Sequence, residues 1–184
     1  MVLYIHGFAS SGLGSKAQLV RDFFGDEAFA PSLSYIPELA IDTLEQIVQK
    51  TLPREPVHLV GSSLGGFYAT VLAERHGLHA VLVNPSTRPW ETLGKHTGYV
   101  THFHDLSRFE WTESHVRTLK ELDPYPVRDG RYLLMLQTGD DLLDYRVALE
   151  RYPEAERVVE EGGSHAFEGF ENHLERIAVF FREG

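Results

Sequence analysis

The chain has 184 residues, of which 42% are hydrophobic and 11% aromatic, so it can bury one substantial core, whereas a second domain would be cramped. Its formal net charge of -10 and its lack of clustered Lys and Arg argue against a surface for nucleic acid or anionic membranes. The absence of cysteine excludes disulfides, thiol catalysis and thiolate metal sites. We find neither a signal peptide nor a membrane span, and therefore expect a single cytoplasmic domain over residues 1–184.

The chain opens with elements typical of a parallel sheet. Val2–Ile5 is an apolar run that predicts a buried strand, and the Gly- and Ser-rich segment after it predicts a loop. Ser15 and Gln18 have the spacing of a capping box at the start of a helix. A weaker strand is expected around Phe29–Ile36, and the proline within it favours a sheet edge. Pro37 is well placed in the first turn of a second helix.

Residues 57–66, VHLVGSSLGG, predict a strand, a very tight turn and a helix. Within them, Gly61, Ser63 and Gly65 match the pattern G-x-S-x-G of a nucleophile elbow. In such an elbow the serine has strained backbone geometry, and the residues two positions away must be small so that strand and helix can approach each other. Ser62 does not fit, because larger residues lie two positions away. Chance also produces this pattern, so its interpretation depends on partners elsewhere in the chain.

A further strand is predicted at Ala80–Val83, after which the alternation of strands and helices stops. The segment 86–126 is long for a connection in a compact domain, and we expect it to form a small cap or lid over a site. Within it, Thr112 can cap a short helix. Alternation returns with strands at Arg131–Gln137 and Arg157–Val159. Helical spacing of apolar residues predicts the last two helices at residues 143–152 and 167–181.

Six strands separated by helices imply an α/β fold, with a mostly parallel sheet covered by helices on both faces. Reactive side chains in such a sheet collect at the carboxyl ends of the strands. The polar residues predicted at those ends are His6, Ser63, Asn84, Asp140, Asp141 and His165.

Hydrolysis through a serine requires a neighbouring base and a carboxylate that orients the base, because the hydroxyl is a poor nucleophile at neutral pH. The fifth predicted strand leads to Asp140 and Asp141, and a glycine-rich loop after the last strand leads to His165. The order Ser, Asp, His is that of the α/β-hydrolases. We prefer Asp140 as the acid because it begins a D-x-x-L turn that ends at Leu143.

Acyl transfer also requires donors placed to bind an oxyanion. One is expected to be the N–H of Leu64, which follows the nucleophile at the start of a helix. The other is expected to be the N–H of Phe8 or Ala9, in the loop after the first strand. We interpret His6 as support for this loop rather than as the base, since His165 fills that role better.

Several segments together resemble the YqiA-like esterases, a family of small α/β-hydrolases; they are LYIHGFASS, HLVGSSLGGFYAT, LVNPSTRPWE, LQTGDDLLDYR and EGGSHAFEGF. The similarity extends over nearly the whole chain. It implies an α/β-hydrolase fold without the first two strands of larger members, and a carboxylesterase, or a thioesterase, for small-molecule substrates with short- to medium-chain acyl groups. It also implies that Ser63 is the nucleophile, Asp140 the acid and His165 the base.

Alternative interpretations stay open. The aromatic residues of segment 86–126 could line an acyl pocket or simply anchor the segment to the body; they include Trp90, Phe103, Phe109 and Trp111. The pattern HFHD at residues 102–105 could suggest a metal site, but no third ligand stands out, so we expect neither a metal nor a cofactor. The GSSLGG turn could be a phosphate nest. The alternative function is a binding protein that keeps this fold without turnover.

Overall fold

The computed structural model describes residues 1–183. Its main sheet has six strands in the order β2-β1-β3-β4-β7-β8, and every neighbouring pair is parallel. These strands are β1 (Val2–Ile5), β2 (Ala28–Phe29), β3 (His58–Ser62), β4 (His79–Val83), β7 (Arg131–Gln137) and β8 (Glu156–Glu160). The prediction of an α/β fold with a mostly parallel six-stranded sheet is confirmed.

Helices cover both faces of this sheet. The α-helices within residues 1–183 are α1 (Ser15–Phe24), α2 (Pro37–Thr51), α3 (Leu64–His76), α4 (Pro89–Thr92), α5 (Glu113–Glu121), α6 (Tyr145–Arg151) and α7 (Leu174–Arg182), of which α4 and α5 belong to segment 86–126. Because side chains alternate along a strand, Leu3 and Ile5 pack with α2 and α3, whereas Val2 and Tyr4 pack with α1 and α7 on the other face. No helix within residues 1–183 is long and apolar enough to cross a membrane.

The start of α1 differs from the prediction. Gly14 is the N-cap residue, because the N–H of Gln18 donates to the Gly14 carbonyl at 3.0 Å, and Ser15 already lies in the first turn. No side chain caps this helix, so the predicted capping box of Ser15 and Gln18 is wrong. The Gln18 side chain instead donates to Asp22, one turn further along the helix, at 2.7 Å.

The second strand lies at the sheet edge, as Pro31 indicated, but it is much shorter than the predicted 29–36. Only Ala28 and Phe29 pair with β1. Beyond them the backbone bonds to side chains rather than to a neighbouring strand, since the N–H of Leu33 donates to Nε2 of His6 at 2.9 Å. The segment therefore leaves the sheet and supports the loop after β1.

Segment 86–126 contains an antiparallel hairpin that the sequence analysis did not predict. The hairpin joins β5 (Gly98–Thr101) to β6 (Arg108–Trp111) and is separate from the main sheet. Helix α5 follows directly, and Thr112 is its N-cap residue, so the predicted helix-capping role of Thr112 is confirmed. The hydroxyl of Thr112 accepts from the His115 N–H at 3.4 Å, and Nδ1 of His115 accepts from the Thr112 N–H at 3.2 Å.

The last helix starts later than predicted. Residues 167–169 form a loop in which Phe167 has a φ of 58° and Gly169 a φ of 72°. A 3-10 turn over Phe170–His173 leads from this loop into α7. Phe167 is nevertheless buried against the sheet, which explains why its apolar character matched the helical pattern.

Candidate active site

Ser63 lies at the sharp turn between β3 and α3, at the carboxyl edge of the sheet. Its φ of 55° and ψ of -120° are strained for a residue other than glycine, at a cost of about 1–3 kcal/mol. Backbone hydrogen bonds hold this conformation, because the Ser63 N–H donates to the Val83 carbonyl at 3.0 Å. Its carbonyl accepts the N–H groups of Gly66 at 2.9 Å and Ser86 at 3.0 Å. The surrounding structure thus fixes the serine at the apex of the turn.

Glycines permit the close packing around this turn. A Cβ atom on Gly65 would clash with the backbone of Ile5, and one on Gly61 would lie 2.7 Å from the carbonyl carbon of Gly65. Gly7 faces the serine from the loop after β1, where an added Cβ would lie 3.2 Å from Cβ of Ser63. Any side chain at Gly61 or Gly65 would therefore force β3, α3 and β1 apart.

Two hydrogen bonds connect Ser63, His165 and Asp140 in series. Oγ of Ser63 lies 2.9 Å from Nε2 of His165, and Nδ1 of His165 lies 2.8 Å from Oδ2 of Asp140. The Asp140 side chain is only 2% exposed, and its Oδ1 accepts the N–H groups of Leu142 and Leu143, both at 2.9 Å. Asp141 is exposed. The structure therefore places Asp140, rather than Asp141, against the histidine.

The loop that carries His165 is bonded to two buried polar side chains at strand ends. Nδ2 of Asn84, which follows β4, donates to the carbonyls of Ser164 at 3.0 Å and His165 at 3.3 Å. Oδ1 of Asn84 accepts the N–H of Gln137 at 3.0 Å, and Oε1 of Gln137 accepts those of Ser164 at 3.1 Å and Glu168 at 2.9 Å. The imidazole position is therefore determined by the ends of β4 and β7.

From the sequence, Asn84 has no predicted role beyond its place at a strand end, and Gln137 is not among the predicted site residues. The available signal was a polar residue at the end of an apolar strand, because a buried amide must find hydrogen-bond partners nearby. Both side chains are 3% exposed and both find those partners in the His165 loop.

The N–H groups predicted to bind an oxyanion lie on the two segments that adjoin Ser63, the start of α3 and the loop after β1. Leu64 is the first residue of α3, and Phe8 and Ala9 lie in a turn closed by a 3.3 Å hydrogen bond from the Ser10 N–H to the Gly7 carbonyl. None of the N–H groups of Leu64, Phe8 and Ala9 has a backbone acceptor within residues 1–183. Ala9 has a φ of 53°, and its carbonyl accepts the Phe103 N–H at 2.8 Å, which ties this turn to the hairpin.

His6 lies beside this turn but not in the series of Ser63, His165 and Asp140. Its Nδ1 donates to the Gly7 carbonyl at 2.9 Å, and its Nε2 accepts the Leu33 N–H at 2.9 Å. Burial lowers the pKa of His6, the hydrogen bond to the Gly7 carbonyl raises it by a smaller amount, and the nearby His102 lowers it slightly. The imidazole is therefore a neutral bridge between two backbone segments.

A cavity of about 520 Å³ opens beside Ser63 and His165. Its apolar wall is formed by Phe8, Leu64, Leu93, Phe103, Leu142 and Leu143. Its polar wall includes Tyr4, Ser10, Ser11, Ser15, Lys16, Thr92 and His96. Segment 86–126 thus contributes to the cavity on both its apolar and its polar side.

The four aromatic residues considered for an acyl pocket have different positions. Phe103 lines the cavity and is 76% exposed. Phe109 and Trp111 are buried in the core, where Phe8 packs edge-on against both rings at centroid distances of 5.8 and 4.8 Å. Trp90 packs on Phe67 at 6.1 Å. Of these four residues only Phe103 can touch a ligand in the cavity, so the anchoring interpretation applies to the other three.

The HFHD pattern lies at the turn of the hairpin. Nδ1 of His102 accepts the His104 N–H at 3.3 Å and lies 3.5 Å from Asp105. In the described part of the chain, no three potential ligand side chains come together in a way that could hold a metal ion.

A parallel sheet of this order, with a serine at a strand-to-helix turn and an acid and a histidine after later strands, is the α/β-hydrolase fold. Similar solved structures agree, at 13–16% identity. Est1E from Butyrivibrio proteoclasticus with bound ferulic acid has a TM-score of 0.76 over 99% of this chain and 88% of its own, at 13% identity. The Paleococcus ferrophilus monoacylglycerol lipase has a TM-score of 0.73 over 100% and 94%, at 16% identity.

The chain belongs to the family described as Uncharacterised protein family (UPF0227), whose model matches residues 1–182. One relative, a UPF0227 protein of Yersinia pseudotuberculosis, is 26% identical over 98% of both chains. The prediction that the chain belongs to a family of small α/β-hydrolases is therefore confirmed, and the match covers residues 1–182.

Replacement of Asn84 by alanine should destabilise the fold. Asn84→Ala would leave the buried Gln137 N–H and the Ser164 carbonyl without their partners, and each such group costs about 1–3 kcal/mol. We expect the free energy of unfolding, measured by urea denaturation, to fall by at least ~1 kcal/mol. Asn172→Ala is the matched control, because Asn172 is exposed. An equal effect of both substitutions would contradict the role assigned to Asn84.

Proposed function

We propose that this protein is a serine hydrolase, a carboxylesterase for short- to medium-chain acyl esters, that acts through an acyl-enzyme intermediate. The observation that carries the proposal is the unbroken series of hydrogen bonds from Ser63 through His165 to Asp140, beside an open cavity. A serine with a base within hydrogen-bond distance, and a base held by a carboxylate, is the arrangement that activates a hydroxyl at neutral pH.

In the first half of the reaction, Oγ of Ser63 attacks the ester carbonyl while Nε2 of His165 takes its proton. The 2.9 Å separation of these atoms is within the range for direct proton transfer. Asp140 holds Nδ1 of His165 at 2.8 Å, so that Nε2 faces the serine, and it stabilises the imidazolium that forms. His165 then gives the proton to the leaving alcohol, and the acyl group stays on Ser63.

The negative charge on the carbonyl oxygen is stabilised by the N–H of Leu64 and that of Phe8. The N–H of Leu64 also lies at the positive end of the α3 dipole. We favour Phe8 over Ala9 because Phe8 directly follows Gly7, the residue in contact with Ser63. In the second half of the reaction, His165 activates a water that releases the acid. The same steps apply to a thioester, because only the leaving group changes.

The cavity favours a small-molecule substrate. Its volume of about 520 Å³ is in the usual range for ligand sites, which is roughly 300–1,000 Å³. Leucines on the wall next to His165, Leu142 and Leu143, can contact an acyl chain. Within the single domain that we propose, segment 86–126 acts as a cap, since its Leu93 and Phe103 close one side of the cavity. The similar structures of an esterase and a lipase support the same class of reaction.

Labelling with a fluorophosphonate tests the nucleophile. The wild-type protein should react covalently with the probe, and Ser63→Ala should not, because the probe requires an activated serine hydroxyl. Ser62→Ala, with the neighbouring serine removed, is the control that should still be labelled. Gel fluorescence and peptide mass spectrometry would detect the adduct, and equal labelling of wild type and Ser63→Ala would exclude Ser63.

The choice of acid is tested by two matched substitutions. Asp140→Asn should lower kcat for p-nitrophenyl butyrate by about a thousandfold or more, because an amide cannot hold the histidine in the required tautomer. Asp141→Asn should change kcat by less than about threefold, since exposed Asp141 has no contact with the histidine. A larger loss for Asp141→Asn would show that Asp140 is not the acid.

A further inference from the structure

The wall of the cavity differs in charge from the rest of the protein. The chain carries 27 Asp and Glu residues and a net charge of -10, yet no Asp or Glu side chain lines the cavity within residues 1–183. The wall instead includes one ammonium group, from Lys16, and hydroxyl groups from several serines. With this charge distribution, an anion binds more favourably in the cavity than on the acidic surface elsewhere.

Lys16 is unusual among the lysines of this chain. The other three, Lys50, Lys95 and Lys120, are exposed, whereas Lys16 is half-buried at the start of α1. In the part of the chain that the structure describes, Lys16 forms no ion pair. Burial lowers the pKa of its ammonium group. A half-buried cation without a counter-charge is unfavourable, and an anionic ligand would remove that cost.

Hydroxyl groups on the same wall can complete an anion site. Ser15 precedes Lys16 at the start of α1, and Tyr4 and Ser11 line the cavity beside them. Ser86 also lines the cavity, and its Oγ is buried without a hydrogen-bond partner among residues 1–183. Hydroxyl and ammonium donors together are a set that carboxylates and phosphates bind well.

We propose that Lys16 makes this site selective for substrates that carry an anionic group, such as a carboxylate, in addition to the ester bond. The proposal rests on the esterase function proposed above. The anion can belong to the acyl part or to the alcohol part of the ester, and in both cases its charge pairs with the Lys16 ammonium while the ester carbonyl lies at Ser63.

Paired esters that differ mainly in charge test this selectivity. For the acyl part, the pair is p-nitrophenyl glutarate monoester and p-nitrophenyl valerate. For the alcohol part, the pair is p-carboxyphenyl butyrate and p-carbamoylphenyl butyrate. We expect Lys16→Gln to lower the ratio of kcat/KM values, anionic over neutral, by about tenfold in one pair, because a hydrogen bond to a charged group is lost. That pair identifies the part of the substrate that carries the anion.

Lys50→Gln is the matched control, because it removes one positive charge from an exposed position on α2 and should leave all the ratios unchanged. Ratios that Lys16→Gln leaves unchanged in both pairs, or changes no more than Lys50→Gln does, would overturn the proposal. Rates are corrected for spontaneous hydrolysis of each ester.

A binding measurement separates failure of this proposal from failure of the esterase function. Calorimetry with Ser63→Ala protein measures the affinity for the same esters without turnover. We expect the anionic ester of one of the two pairs to bind about tenfold more weakly when Lys16→Gln is added to Ser63→Ala. Such a loss without any wild-type turnover would support the anion site and contradict the esterase. Turnover by the wild type without a charge-dependent loss of affinity would support the esterase and contradict the anion site.

Discussion

The close approach of β1, β3 and α3 around Ser63 is the constraint on which the rest of the site depends. Without side chains at Gly61 and Gly65, the helix can begin directly above the sheet, and the serine is held at a φ of 55° by hydrogen bonds to the end of β4, to the first turn of α3 and to Ser86. The strain of a few kcal/mol is small compared with the packing and hydrogen bonding around the turn. The hydroxyl is therefore presented at a fixed point on the sheet edge.

The partners of the serine are positioned by the same sheet. Asn84 and Gln137 connect the ends of β4 and β7 to the loop with His165. The backbone N–H groups of Leu142 and Leu143 orient the Asp140 carboxylate. Because the strands are rigid and their ends are adjacent, loops from distant parts of the sequence place their side chains within hydrogen-bond distance of one another. The neutral His6 fixes the loop after β1 in the same way, through hydrogen bonds to the Gly7 carbonyl and the Leu33 N–H.

Much of this arrangement could be predicted because it depends on local patterns and on order along the chain. Short apolar runs, alternating with segments in which apolar residues have helical spacing, predicted the sheet and its helices. The nucleophile elbow, followed by Asp140 and His165 after later strands, predicted the site. Other contacts between distant residues could not be predicted. Nothing local shows that Gln137 bonds to the His165 loop, or that Trp111 lies in the core while Phe103 lines the cavity.

Boundaries were also less predictable where alternative partners compete. The edge strand ends after Phe29 because the following backbone bonds to side chains such as His6, a choice made by tertiary structure. Gly14 rather than Ser15 is the N-cap of α1, and Lys16, in the first turn of this helix, lines the cavity. The charge of the cavity wall became visible only when the structure brought these residues together.

The central claim is that Ser63 carries the acyl group during turnover. The most direct measurement is rapid acid quenching of the protein during hydrolysis of p-nitrophenyl butyrate, followed by peptide mass spectrometry. The account predicts a butyryl adduct on the peptide that contains Ser63, formed as fast as the first turnover releases p-nitrophenol. Turnover with no acylated peptide, or with the acyl group on a different residue, would contradict it.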